Sequence, residues 1–205
     1  MIFHRVFDEV FSTWSHVAVL RVLQDAAQGL SGREIARLSS MSHRSCLKAL
    51  TNLEELHLLI RQRGGRDHLF ALNRTHVLVS DAILPLLQAE RKFLGQLERY
   101  LKEQLGGPAA SVILFGSVVR RQETVRSDLD VCILVHKASE KDRVQEHVHS
   151  LASVVQQRFG ARLSPLLFST TEFVRGVKSK KSPMSEIASE GKVITGKSLS
   201  GLDRG

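Results

Sequence analysis

Two short apolar runs with a glycine-serine pair and an acidic triplet between them constrain this chain more than any other feature. Ser111-Val-Ile-Leu-Phe115 leads directly into Gly116-Ser117, and Asp128-Leu129-Asp130, twelve residues after Gly116, leads into Val131-Cys-Ile-Leu-Val135. Aliphatic runs of this length bounded by turn formers read as buried strands. Because a strand alternates its side chains, Asp128 and Asp130 point to one face while Leu129 points into the core. Adjacent carboxylates repel unless a cation sits between them. Oxygen ligands beside phosphates favour Mg²⁺, which keeps several waters and bridges a few carboxylates to substrate phosphates. Glycine lets a phosphate approach the backbone, and the amides where a helix begins at Val118, with the Ser117 hydroxyl, suit an anion. Either element alone fits a surface strand with solvated aspartates; their combination in one segment points to a metal-bridged phosphate site.

The flanking sequence is that of an α/β unit. Val144, Val148, Leu151, Val155 and Phe159 form the stripe of a crossover helix, and Ala161-Arg-Leu-Ser-Pro-Leu-Leu-Phe168 reads as the next strand. The segment from Ser179 onward predicts a short helix stopped by Gly191, then a final strand. Lys178, Lys180 and Lys181 suit either a solvated linker or contact with an anion.

The N-terminal part has helical patterning. Phe3, Phe7, Val10 and Trp14 recur at helical spacing and are expected in the core, with Val17, Leu20 and Leu23 continuing the face. Ser31-Gly-Arg-Glu34 is a capping-box pattern that starts a short helix ending at Leu38. After the tight turn Ser39-Ser40-Met41, Ser42 caps a second helix with Cys46, Leu47, Leu50, Leu53 and Leu56 on one face. Leu58–Arg61 and His68–Leu72 read as strands of a hairpin turning at Gly64-Gly65-Arg66-Asp67.

The stretch GREIARLSSMSHRSCLKALTNLEELHLLIRQRGGRDHLFALNRTH resembles the winged helix-turn-helix of bacterial and archaeal regulators, over about residues 10–78. The resemblance implies that the second helix enters the major groove of double-stranded DNA and that the wing lies along the backbone. The candidate DNA-binding residues are then Ser42, His43, Arg44, Ser45 and Lys48 on the helix and Arg61, Arg63 and Arg66 on the wing, where guanidinium groups fork onto phosphates. His57 stands where such domains usually carry glycine, so a local difference at the helix end is expected.

The segment FGSVVRRQETVRSDLDVCILV resembles the signature of the minimal nucleotidyltransferases of the DNA polymerase β-like superfamily, the match spanning about residues 106–178. The resemblance implies that Gly116 and Ser117 bind the triphosphate of an NTP and that Arg120 neutralises phosphate charge. It also implies that Asp128 and Asp130 are the catalytic pair and the metal ligands for Mg²⁺. This sequence departs from that family at Arg121, where many relatives have glycine. It departs again on the later strand, where active members place a third carboxylate. Ser164 and Leu166 are the candidates for that face, and Glu123 and Glu172 are the acids left to substitute.

Ser80–Leu105 carries an apolar stripe (Ile83, Leu86, Leu87, Leu94, Leu97, Leu101, Leu105) and predicts a long linker helix ended by Gly106-Gly107-Pro108. The stripe fits either packing against its own domains or a homodimer through residues 80–105. The expected architecture is α+β and multidomain: a winged helix-turn-helix (1–78), a linker helix (79–105), a nucleotidyltransferase-fold α/β domain with a small mixed sheet (106–178), and a tail (179–205).

Composition narrows the function classes. The net charge of +8 is unevenly spread: ten basic against seven acidic residues over 1–78, four against four over 79–105, and fifteen against ten over 106–205. Two basic lobes suit anionic partners, and equally a solubilising surface. No apolar run nears the roughly 20 residues of a membrane span, so no membrane partner and a cytoplasmic location are expected. With only Cys46 and Cys132, no disulfide framework or cysteine metal site is implied. The absence of a P-loop, dinucleotide fingerprint or Gly-x-Ser-x-Gly elbow disfavours NTPase, dehydrogenase and hydrolase readings. Two functions remain open. One is a DNA-binding transcriptional regulator whose second domain binds Mg-NTP. The other is an active, antitoxin-like transferase moving a nucleoside monophosphate onto a protein acceptor or nucleic acid, targeted or autoregulated by its winged helix.

Overall fold

The computed structural model describes residues 3–64 and 67–198, and the chain divides into two compact units, 1–92 and 93–205. The division falls inside the helix expected as a separate connector, because each half of that helix contributes to a different core.

In the first unit, α1 (Val6–Val10) and α2 (Trp14–Leu23) precede α3 (Gly32–Leu38) and α4 (His43–Glu55). The caps form as the sequence implies: the Ser31 and Ser42 hydroxyls accept the amides of Glu34 and Ser45 at 3.3 and 3.1 Å. The hairpin is β2 (Leu59–Gly64) and β3 (Asp67–Leu72). A strand missed by sequence reading, β1 (Leu30–Ser31), adds to β3, giving the antiparallel order β1-β3-β2. Gly29, at φ 81°, enters β1 so close to β3 that a β-carbon would lie 2.9 Å from the Phe70 carbonyl oxygen.

The core of this unit gathers Val19, Leu20, Leu23, Ile35, Cys46, Leu50, Leu53, Leu58 and Phe70. The aromatic residues expected there are outside it. Phe3 and Trp14 are 79% and 67% exposed, Phe7 is also exposed, and only Val10 of that series is buried. The chain breaks between α1 and α2, so their spacing does not belong to one helix. His16 joins this break to α4. Its Nδ1 lies 3.1 and 3.2 Å from the Glu9 and Val10 carbonyl oxygens and so carries the proton, leaving Nε2 to accept from Asn52 Nδ2 at 3.4 Å.

The linker helix begins as a π-helical turn, Val79–Ile83, and becomes α5 (Leu84–Leu105). Pro85 has no N–H to donate backwards, consistent with the wider turn before it. Ile83 and Leu87 are buried in the first unit's core, whereas Leu97, Leu101 and Leu105 are buried in the second. Forked pairs tie the start of α5 to its own unit: Arg21 to Glu90 at 2.5 and 2.6 Å, and Arg91 to Asp25 at 2.8 and 2.9 Å.

The second unit is a four-stranded mixed sheet, β6-β5-β4-β7, made of β4 (Ser111–Leu114), β5 (Leu129–Val135), β6 (Leu163–Ser169) and β7 (Lys192–Gly196). β5 and β6 are parallel, joined by the crossover helix α7 (Lys141–Phe159), while β4 runs antiparallel to β5 and β7. Alternation sorts the sheet into two faces. Leu129, Val131, Ile133 and Val135 pack with α5 and α7. Ile113, Cys132 and Leu134 pack with Phe173 of α8 (Thr170–Lys178) and with Met184 and Ile187 of α9 (Met184–Glu190). The C-terminal segment is therefore an integral part of the unit, because β7 pairs with β4 and α9 covers the sheet.

Helix ends diverge most from expectation. Ser40, His57, Arg121 and Lys180 all have φ between 51° and 57°. At His57 the amides of His57 and Leu58 donate to the carbonyls of Glu54 and Leu53 at 2.9 and 3.0 Å, a Schellman motif closed by the buried pair Leu53 and Leu58. Arg121 repeats it after α6 (Gly116–Arg120), with Arg121 and Gln122 donating to Val118 and Ser117. His57 and Arg121, each standing where the families they resemble usually carry glycine, both take the left-handed conformation that favours glycine. His57→Gly is expected to stabilise the chain by about 1 kcal/mol by relieving left-handed strain, read as a higher urea midpoint at unchanged slope; an unchanged or lower midpoint would contradict it.

Candidate functional site

Asp130 and Gly116 come together because β4 and β5 run antiparallel. The Phe115 amide donates to the Asp130 carbonyl at 3.2 Å, placing residue 116 beside the Asp130 side chain. A β-carbon at 116 would collide with Asp130 Oδ2 and lie 3.1 Å from its Cγ, and φ here is 73°. Glycine is needed at 116 for two independent reasons, backbone hand and space. Ser117 follows in the first turn of α6 and is half-buried.

Asp130 shares its sheet face with Cys132 and Leu134, and Asp128 lies just before β5. Parallel register sets Ser164 beside Asp130 and Leu166 beside Cys132. Ser164 and Leu166 thus occupy the face on which a third carboxylate was sought. Arg162, one step before β6, donates from Nε to Asp128 Oδ1 at 2.5 Å. The pair is exposed, and Asp128 holds the guanidinium pKa further above its ordinary value.

The other acids considered do not join this cluster. Glu172 is the N3 residue of the capping box at the start of α8. It accepts the Ser169 amide at 2.7 Å and pairs with Lys141 at 2.5 Å. Those contacts, Lys141 first, pull its pKa down to about 2. Val135 pairs with Ser169, so Glu172 belongs to the opposite end of β5 from Asp130. Glu123 lies exposed in the loop between α6 and β5. Arg120 pairs with Glu190 of α9 at 2.5 Å. The Cys132 thiol, buried within the sheet, is pushed up to about 12 and is inert as a nucleophile.

The chemistry of the donors, two carboxylates two residues apart with a glycine packed against one of them, fits one hard cation that completes its shell with water or phosphate oxygens. It does not supply the carboxylates for a second ion, and no cluster of three or more His, Cys, Asp or Glu suited to a metal occurs among the described residues.

On the first unit, the polar residues singled out on α4 lie on its exposed N-terminal turns. Ser42 Oγ is committed to the cap and also donates to Ser45 Oγ at 2.9 Å, while His43, Arg44 and Lys48 are exposed. Arg61 of β2 bonds through Nε to Glu54 of α4 at 3.1 Å, and Arg63, two residues on, is exposed. Arg66 lies outside the described residues. Sequence reading missed Arg33 and His68, which with His43, Thr51 and Arg61 line a groove of about 270 Å³ between α4 and the sheet. Arg33 comes from α3, His43 and Thr51 from α4, Arg61 from β2 and His68 from β3, so the groove exists only in the tertiary fold.

Residues 94–185 match the family model described as a nucleotidyltransferase domain. No curated protein matches the chain, and no solved structure matches it. The matched region contains Gly116, Ser117, Asp128 and Asp130, and at the family level it supports nucleotidyl transfer. No helix among the described residues is long and apolar enough to cross a membrane.

Proposed function

We propose that this chain is a DNA-binding transcriptional regulator whose second unit binds a Mg²⁺-chelated nucleoside triphosphate. The observation that carries the nucleotide part is the packing of the Asp130 carboxylate against Gly116, which sets the acid read as a metal ligand beside the glycine read as a phosphate contact. Asp128 and Asp130 are the residues to hold the ion, and Gly116 with the Ser117 hydroxyl to hold the phosphates. When bound, the divalent ion neutralises phosphate charge and fixes the triphosphate. Arg120, at the end of α6, adds positive charge on exchanging Glu190 for a phosphate.

The DNA part rests on the first unit, read as a winged helix-turn-helix. Arg44 and Lys48 lie one turn apart on the exposed face of α4, and Arg63 extends the basic surface along β2. In this reading α4 enters the major groove, with Ser42, His43 and Ser45 at its entry, and the arginines of β2 hold phosphates. Leu86 and Leu94 of α5 are 53% and 39% exposed, so pairing of two copies through this helix, to read two half-sites, belongs to the same reading.

A second reading, transfer of a nucleoside monophosphate to a protein or nucleic acid, is favoured by the family match at residues 94–185. It requires Asp128 or Asp130 to take the acceptor proton or align its oxygen without a third acid.

Calorimetric titration with Mg²⁺ and each NTP separates these outcomes. Wild type is expected to show Mg²⁺-dependent affinity that the double variant Asp128→Ala, Asp130→Ala loses by tenfold or more. No metal-dependent nucleotide affinity in wild type would sink both readings. Release of pyrophosphate with label on a macromolecule would establish transfer. For DNA, neutralising Arg44, Lys48 and Arg63 should weaken duplex binding and lower the log–log salt slope by roughly one unit for each phosphate interaction removed; an unchanged slope would contradict the assignment.

A further inference from the structure

The second unit carries a cation of its own beside the acidic pair. Arg162 reaches it through backbone pairing: the Leu129 amide donates to the Arg162 carbonyl at 2.8 Å, and Leu163 and Ser164 continue the register beside Leu129 and Asp130. Beside Asp128 and Asp130, the neighbouring strand therefore presents Arg162 and Ser164. The cluster holds two acids and one guanidinium where three acids would carry three negative charges. A three-acid cluster beside a triphosphate calls for two divalent ions; this one leaves a single net negative charge, suited to one.

The geometry of Arg162 leaves it able to serve a ligand. Its bond to Asp128 uses Nε, and its terminal nitrogens make no hydrogen bond to any described residue. Its side chain is 70% exposed. A guanidinium held by one edge keeps its other donors aimed outward, in the fork that matches phosphate oxygens. Arg120 is engaged by Glu190, whereas Arg162 is held by Asp128.

We propose that Arg162 takes the place of a second divalent ion: it neutralises Asp128 and offers its terminal nitrogens to the triphosphate, so that the site takes one metal ion per nucleotide. This rests on the nucleotide reading above and goes beyond it, since it assigns a phosphate-binding residue and a metal stoichiometry. It also accounts for serine beside Asp130, because an acid there would need the ion that Arg162 replaces.

The test uses the full chain, Mn²⁺ as a paramagnetic probe, and the α,β-methylene analogues of ATP and GTP. Free Mn²⁺ is counted by EPR and nucleotide affinity is measured in parallel. Wild type is expected to bind one Mn²⁺ per nucleotide. Arg162→Ala should lose at least tenfold in nucleotide affinity with a melting temperature near that of wild type, because an exposed ion pair adds little stability. Arg162→Lys should recover part of the affinity, and Arg162→Asp should bind two Mn²⁺ per nucleotide. Two Mn²⁺ in wild type, or affinity of Arg162→Ala within twofold of wild type, would overturn the proposal while leaving nucleotide binding intact. Failure of wild type to bind either analogue at any Mn²⁺ concentration would overturn both.

Discussion

The contact between the Asp130 carboxylate and the Cα of Gly116 organises the second unit's candidate site. It exists because β4 and β5 pair antiparallel up to Leu114 and Val131, and because the chain then turns at 116 with positive φ. Any side chain at 116 meets a charged oxygen on one side and a left-handed backbone on the other. Sheet register, the start of α6 and the orientation of Asp130 are thus one constraint. The opposite face of β5 anchors it: Leu129, Val131, Ile133 and Val135 are buried against α5 and α7, so Asp130 cannot rotate inward without exposing that core.

The distribution of charge around this contact distinguishes the site from a generic acidic strand. Of the acids in the neighbourhood by sequence, Glu172 is spent on a helix cap and Lys141, and Glu190 on Arg120. Asp128 is held by Arg162, and Asp130 faces the glycine corner. The sheet thereby places one arginine and two aspartates together at one end of β5 and keeps other carboxylates elsewhere. In the first unit the same economy operates differently: Glu54 engages Arg61 while Arg44, Lys48 and Arg63 stay exposed on α4 and β2.

Much of this was legible in the sequence because the signals were local. The serine caps of α3 and α4, the stripe of α7 and the alternation of β5 each depend on residues within a few positions of one another. Three kinds of feature were not. Phe7 and Trp14 matched a helical period that the chain interrupts, so they lie exposed. β1 is two residues long and owes its existence to β3, some forty positions away. The contact of Arg162 with Asp128 depends on parallel register across the whole of α7, which no local pattern encodes. The helix ends teach a further lesson: His57 and Arg121 adopt conformations associated with glycine because the Schellman hydrogen bonds, and at His57 the Leu53 and Leu58 contact, offset the strain.

The Gly116 corner and the Asp130 carboxylate are mechanically one object. Gly116→Ala tests it most directly, with NMR of the Asp130 carboxyl carbon and NTP affinity measured on the same folded sample. The Asp130 signal is expected to move and Mg²⁺-dependent affinity to fall at least tenfold, with the remaining sheet signals of β5 and β6 in place. An alanine variant that keeps both the Asp130 signal and wild-type affinity would contradict it.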